Sequence, residues 1–196
     1  LLASEKHDYA RAMELVEKIP NPTHRTKVRG FVAYEIAQAE LAAGKFDEAY
    51  NWVQDDDDPV RKGAMLTQIA HAMSQTKARS EQRLDQLLAE ATSLAFSRAP
   101  GTERLVMLGA IAALQARTNT TAALETINHC IEAANGAERL DSALTVQRTL
   151  QLDRSYFTVR LYASPLTFPE AVAKLSRDHF LPMIARSEEH TSELQS

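Results

Sequence analysis

The chain has 196 residues, of which 44% are hydrophobic and 24% charged, with a formal net charge of −4. That length and apolar content allow one ordinary domain or a short repeat array with a sizeable core. The mild, mixed charge argues against nucleic acid as a partner, and the single cysteine, Cys130, excludes an intrachain disulfide framework.

Gly and Pro number only 6 and 7, while Ala, Leu, Glu, Gln and Arg recur throughout, a composition that favours helix nearly everywhere. No apolar run approaches the roughly 20 residues of a membrane span, and no basic start with an apolar core marks a signal peptide. No membrane span is expected, and cytoplasm is the default location. The chain opens Leu1, Leu2, Ala3 without an initiator Met, so a longer native N-terminus is expected.

The spacing of Tyr9, Ala12, Met13, Leu15, Val16 and Ile19 predicts a helix from Asp8 to Ile19 with one apolar face. Pro20 stops it. Asn21 and Pro22 restart a longer helix as N-cap and first helical residue, and Gly44 ends it after Ala43. A shorter helix follows from Phe46 to Gln54, with Phe46, Ala49, Trp52 and Val53 facing inward. Asp58 and Pro59 then repeat the cap-and-start signal before a longer helix to about Thr76. A looser pair follows on either side of Pro100, Gly101 and Thr102. A degraded fourth pair is expected near Thr121 to Ala134 and Glu138 to Leu150, flanking Asn135 and Gly136.

Ser155 to Ser164 is different, because Tyr156, Phe157, Val159, Leu161 and Tyr162 favour extended structure and Pro165 follows. An extended crossing segment is expected there, with a short helical continuation as the alternative. Thr167 and Glu170 have capping-box spacing before Ala171 to Leu175, and Asp178, His179 and Phe180 are read as the start of a further helical unit. Arg186 to Ser196 resembles the translated reading of a common short-read sequencing adapter. It is treated as an artefactual, unstructured tail.

The first two helix pairs are one pattern written twice. A shift of 37 residues carries Tyr9 to Phe46, Ala12 to Ala49, Leu15 to Trp52, Val16 to Val53, Pro22 to Pro59, Ala33 to Ala70 and Ile36 to Met73. In a third copy, Leu88, Ala91, Leu94, Arg104 and Ala112 answer Phe46, Ala49, Trp52, Lys62 and Ala70 at a further shift of 42. A period of this size is that of a helix-turn-helix repeat. Each pair has an apolar face it cannot bury alone, so the expected fold is all-α, with helical hairpins stacked as an α-solenoid over residues 1–153.

Gly44, Lys45, Phe46, Asp47, Glu48 and Ala49, preceded by the Ala-rich stretch from Ala33 to Ala43, resemble the inter-helix turn of tetratricopeptide repeats. The likeness is specific over about 40 residues. The sequence departs from that family at Ala37, where Gly is usual, at Glu40, where Tyr is usual, and in its longer period, so other α-solenoid classes stay open. The resemblance implies that one row of the longer helices lines a concave groove. Tyr34 and Gln38 are related to His71 and Gln75 by the same shift, and with Phe31 and Gln68 they form a row suited to a peptide partner.

Other constellations have plainer explanations. Asp55 to Asp58 lacks the ligand spacing and Gly of a calcium loop; Asp58 is the N-cap before Pro59, and its neighbours are expected to be solvated near a positive helix end. The histidines form no metal-binding pair, and Cys130 has no local catalytic signature. No phosphate loop or nucleophile elbow occurs, so no catalytic, metal-binding or cofactor-binding residue is expected. Trp52 is expected to pack in the core. The function expected by fold analogy is a non-catalytic scaffold binding a protein or peptide. The alternative is a regulatory or sensor segment of a larger bacterial protein whose effector domain lies elsewhere.

Overall fold

Asn21 and Asp58 punctuate two stretches that fold alike in the computed structural model, which describes residues 8–76, 80–138, 146–152 and 155–162. Helices α1 (Tyr9–Glu17) and α2 (Pro22–Ala42) form the first pair, and α3 (Phe46–Gln54) and α4 (Pro59–Ser74) the second. Each short helix has 9 residues. The Asn21 side chain accepts from the His24 amide, and Asp58 accepts from the amides of Val60 and Arg61, satisfying donors that a helix start leaves open. Gly44 takes φ 75°, its amide bonding the Leu41 carbonyl while the Lys45 amide bonds that of Glu40. That is the double closure of a Schellman motif, which a left-handed residue permits.

Equivalent positions are buried equivalently: Ala12 with Ala49, Val16 with Val53 and Ala33 with Ala70. Phe46 and Trp52 are half-buried and pack on the core, Trp52 bridging two apolar clusters and meeting Tyr9 edge to face. The third pair departs from this plan. Helix α5 (Glu81–Phe96) has 16 residues where α1 and α3 have 9, although Leu88 and Ala91 are buried as the pattern requires. Gly101, at φ 154°, opens α6 (Thr102–Gln115), and α7 (Thr120–Asn135) follows.

The longer helices carry the core. Helix α2 touches α1, α3 and α4; α4 touches α3, α5 and α6; α6 touches α5 and α7. The main cluster gathers Tyr34, Met65, Leu66, Met107, Leu108 and Ile111, while Ala12, Val16, Val28, Phe31, Val32 and Ile36 form a second around α1 and α2. Among the described residues no helix is long and apolar enough to cross a membrane.

The expectation of a helix from Glu138 to Leu150 is corrected. Residues 139–145 lie outside the described residues, and Val146–Leu152 is strand β1, paired antiparallel with β2 (Ser155–Leu161). Val146 and Leu150 alternate with Gln147, Thr149 and Gln151, the period of a half-buried strand. The expected extended segment is therefore half of a hairpin, and the described residues are predominantly helical with one small two-stranded sheet. The features expected at Thr167 to Leu175, Asp178 to Phe180 and Arg186 to Ser196 lie outside the described residues.

The hairpin lies across the helices, β1 touching both α2 and α6. Val146, Leu161 and Tyr162 enter the main cluster, whereas Leu150 enters the second. Arg148 donates to Asp58 and lies 2.9 Å from a Glu103 oxygen, so a strand residue is tied to the N-cap of α4 and to the first turn of α6. Tyr162, at φ 55°, lies against Gly63, where an added Cβ would stand 3.1 Å from the phenol oxygen and 2.6 Å from Met107 Cε. Gly63 is thus the gap that seats the hairpin's end.

Candidate functional site

Between the first helix pair and the hairpin the surface opens into an apolar groove of about 690 Å3. Helix α1 contributes Ala12, Leu15, Val16 and the following Ile19. Helix α2 contributes Val28, Phe31, Val32 and Glu35, a row at the i, i+3, i+4, i+7 spacing of one helix face. Leu150 closes the floor from β1, and Tyr156, Phe157, Thr158 and Val159 form the far wall.

Successive residues of a strand point to opposite faces of the sheet. Both faces of β2 line the cavity, so the groove runs along the edge of β2 turned away from β1. Among the described residues β2 pairs with β1 alone. At the mouth stand two large side chains left largely in water, Leu15 at 47% exposure and Tyr156 at 65%.

Glu35 occupies a slot where the row calls for an apolar residue. Burial raises its carboxyl above the ordinary value, against a smaller lowering by the positive charge of the chain's amino terminus. Among the described residues no hydrogen bond or ion pair reaches that carboxylate.

Behind Phe31 lies a second charged feature. Arg61 makes two bonds of 2.5 Å to the Asp56 carboxylate, both side chains being almost fully enclosed, and its guanidinium carbon sits 4.2 Å from the Phe31 ring centre. The expectation that the acids beside Asp58 are solvated is therefore corrected for Asp56, although Asp55 and Asp57 are exposed. Burial raises the Asp56 carboxyl, with Arg61 pulling the other way. Gly30 makes room: a Cβ there would stand 2.4 Å from Arg61 Nη2. Asp58 behaves differently, since burial is outweighed by Arg148 and the helix amides and its carboxyl is held below the usual range. A smaller cavity of about 380 Å3 borders this region, lined by Lys27, Asp58, Arg98 and Arg148 among others. Asp58 and Glu103 engage Arg148, and Glu103 engages Arg98.

The six residues expected to meet a partner divide. Phe31 lines the groove and supports Arg61. Tyr34 is buried, and its oxygen accepts from Gln38 at 2.8 Å and Gln68 at 3.5 Å, so these three form one small network. His71 is half-buried, with no hydrogen-bond partner for Nδ1 among the described residues; burial, then Arg117, lowers its pKa. Gln75 is exposed at the end of α4 and bonds Ser74. Leu15, Glu35 and the wall of β2 were not anticipated, although a glutamate in an apolar row was a readable signal.

The arrangement combines apolar walls, one carboxylate and a strand edge that is unpaired among the described residues. Among the described residues no group of His, Cys, Asp and Glu is placed to hold a metal ion. Cys130 is buried and its thiol is pushed up to about 12, which keeps it protonated at neutral pH. Searches against protein-family models, curated proteins and solved structures return no match for this chain.

Proposed function

We propose that this protein is a non-catalytic scaffold that binds a protein or peptide through the surface of a tetratricopeptide-like helical array. The observation that carries the reading is the open apolar groove rimmed by Leu15 and Tyr156. A contiguous apolar surface left open beside polar ground marks an interaction site more often than scattered exposed residues do. Support for the array comes from the repeated pair design: both long helices start on a side-chain cap followed by Pro, and Ala12 and Val16 of the first short helix are buried as Ala49 and Val53 are in the second.

Phe31 belongs both to the groove and to the row expected from sequence. On this reading the groove supplies the binding energy, while Gln38, Gln68, His71 and Gln75 provide polar contacts further along, with Tyr34 holding the two glutamines in place.

Peptide display against the full chain, followed by calorimetric titration of the selected ligands, tests this. Leu15→Asp and Tyr156→Asp are expected to weaken binding by about tenfold or more each, the loss expected at an apolar anchor. Gln38→Ala, His71→Ala and Gln75→Ala are expected to weaken it about threefold or less. Ligand affinities that respond to neither set remove the proposal.

A further inference from the structure

An occupant of the groove meets two requirements that apolar walls alone do not set. One is the edge of β2 turned away from β1, whose outward amides and carbonyls have no strand partner among the described residues. A partner that covers them without pairing leaves buried backbone groups unsatisfied, at a cost comparable to a lost hydrogen bond for each. The other is Glu35, whose charge grows costlier as the last water leaves.

We infer that the groove takes an extended peptide, which adds to the free edge of β2 as a third strand and places a lysine or arginine side chain against Glu35. This rests on the scaffold reading and specifies its mode. An extended chain supplies the donors and acceptors that the edge lacks, and alternate side chains turn inward against Val28, Phe31, Val32 and Leu150. A docked helix, about 10 Å across, leaves the edge covered and unpaired. An apolar side chain opposite Glu35 drives the carboxylate to take up a proton, whereas a cationic one satisfies it as it stands. The raised carboxyl pKa agrees with a group already partly stripped of water before any partner arrives. Specificity follows from the same two features: alternation selects the backbone form, and Glu35 selects the charge.

The probe is a blocked peptide matching β2 in length, alternating threonine with valine and carrying lysine in place of the central valine. It is titrated calorimetrically into the full chain, with amide hydrogen exchange followed along β2. Binding of the lysine peptide is expected to protect outward amides of β2. Affinity is expected to fall about tenfold for Glu35→Gln and for a peptide with glutamate in the lysine position, and about a hundredfold when alternate peptide amides are N-methylated. Failure of the lysine peptide to bind, equal binding of its N-methylated form, or a concentration-dependent dimer that already pairs the edge of β2 overturns the inference. If these peptides fail while a display-selected ligand still loses affinity with Leu15→Asp, strand pairing goes and the scaffold reading stands; insensitivity in both experiments removes both.

Discussion

Where the first helix pair has Ile19 and His24, the second, 37 residues on, has Asp56 and Arg61; where the first has Leu15, the second has Trp52. The backbones of the two pairs follow one plan, yet these substitutions give them opposite surroundings. In the second pair, Asp56 and Arg61 close on each other beneath Phe31, Trp52 bridges two clusters, and α4 is covered by α5 and α6. In the first pair, Ile19 and Leu15 face a groove that the hairpin only partly roofs. One helix-pair design thus serves as core or as groove wall, according to the few side chains at its outer face.

The sharpest way to break this contrast is to strand a charge in the second pair. Arg61→Met leaves Asp56 enclosed without its partner and is expected to cost about 3–5 kcal/mol in urea denaturation. Adding Asp56→Leu, which makes both positions apolar as Ile19 is, is expected to recover most of that loss. A single variant as stable as the parent contradicts the assigned role of the pair.

Trp52→Ala is expected to destabilise by about 2–3 kcal/mol, since a partly buried tryptophan that joins two clusters leaves a cavity. Leu15→Ala, at the matching position of the first pair, is expected to cost about 1 kcal/mol or less because the side chain is already near half-exposed. Equal losses erase the distinction between core and wall. Gly30→Ala is expected to cost about 1–3 kcal/mol by pushing a Cβ against the Arg61 and Asp56 side chains.

The smallest effect is a pH dependence at Glu35. Its carboxyl is raised above the ordinary value of 4.5, so the folded state holds the proton more tightly than the unfolded one. Stability from this group is then greatest at acid pH and declines as pH rises from the unfolded value through the raised folded one. Glu35→Gln removes that decline, so its stability relative to the parent is expected to be higher near pH 7 than near pH 4 in paired denaturant titrations.

Much of the helical frame was legible because its signals are local. Pro22, Pro59 and Gly44 each act within one turn, and the Asp58 cap reaches only to Val60 and Arg61. The hairpin was harder to see. Leu150 also fits helical spacing, and the alternation from Val146 to Leu152 becomes decisive only beside a partner strand, whose pairing is not local. Asp56 was missed for a related reason: its burial depends on Arg61 and on the gap at Gly30 in another helix. An isolated glycine inside a helical pattern was the available sign of that close approach. The groove belongs to the same class, since it exists only once α1, α2 and β2 have met. Phe31 alone of the six expected contact residues lines it.

The central claim is that β2 bonds β1 along one edge and, among the described residues, pairs with nothing along the other, beside α1 and α2. Residue-resolved amide hydrogen exchange of the free full-length chain measures this directly. The account predicts alternation along β2, with amides turned toward β1 slow to exchange and those turned toward the groove fast. Uniformly fast exchange over both strands would contradict a docked hairpin, and uniformly slow exchange along β2 would contradict an open edge.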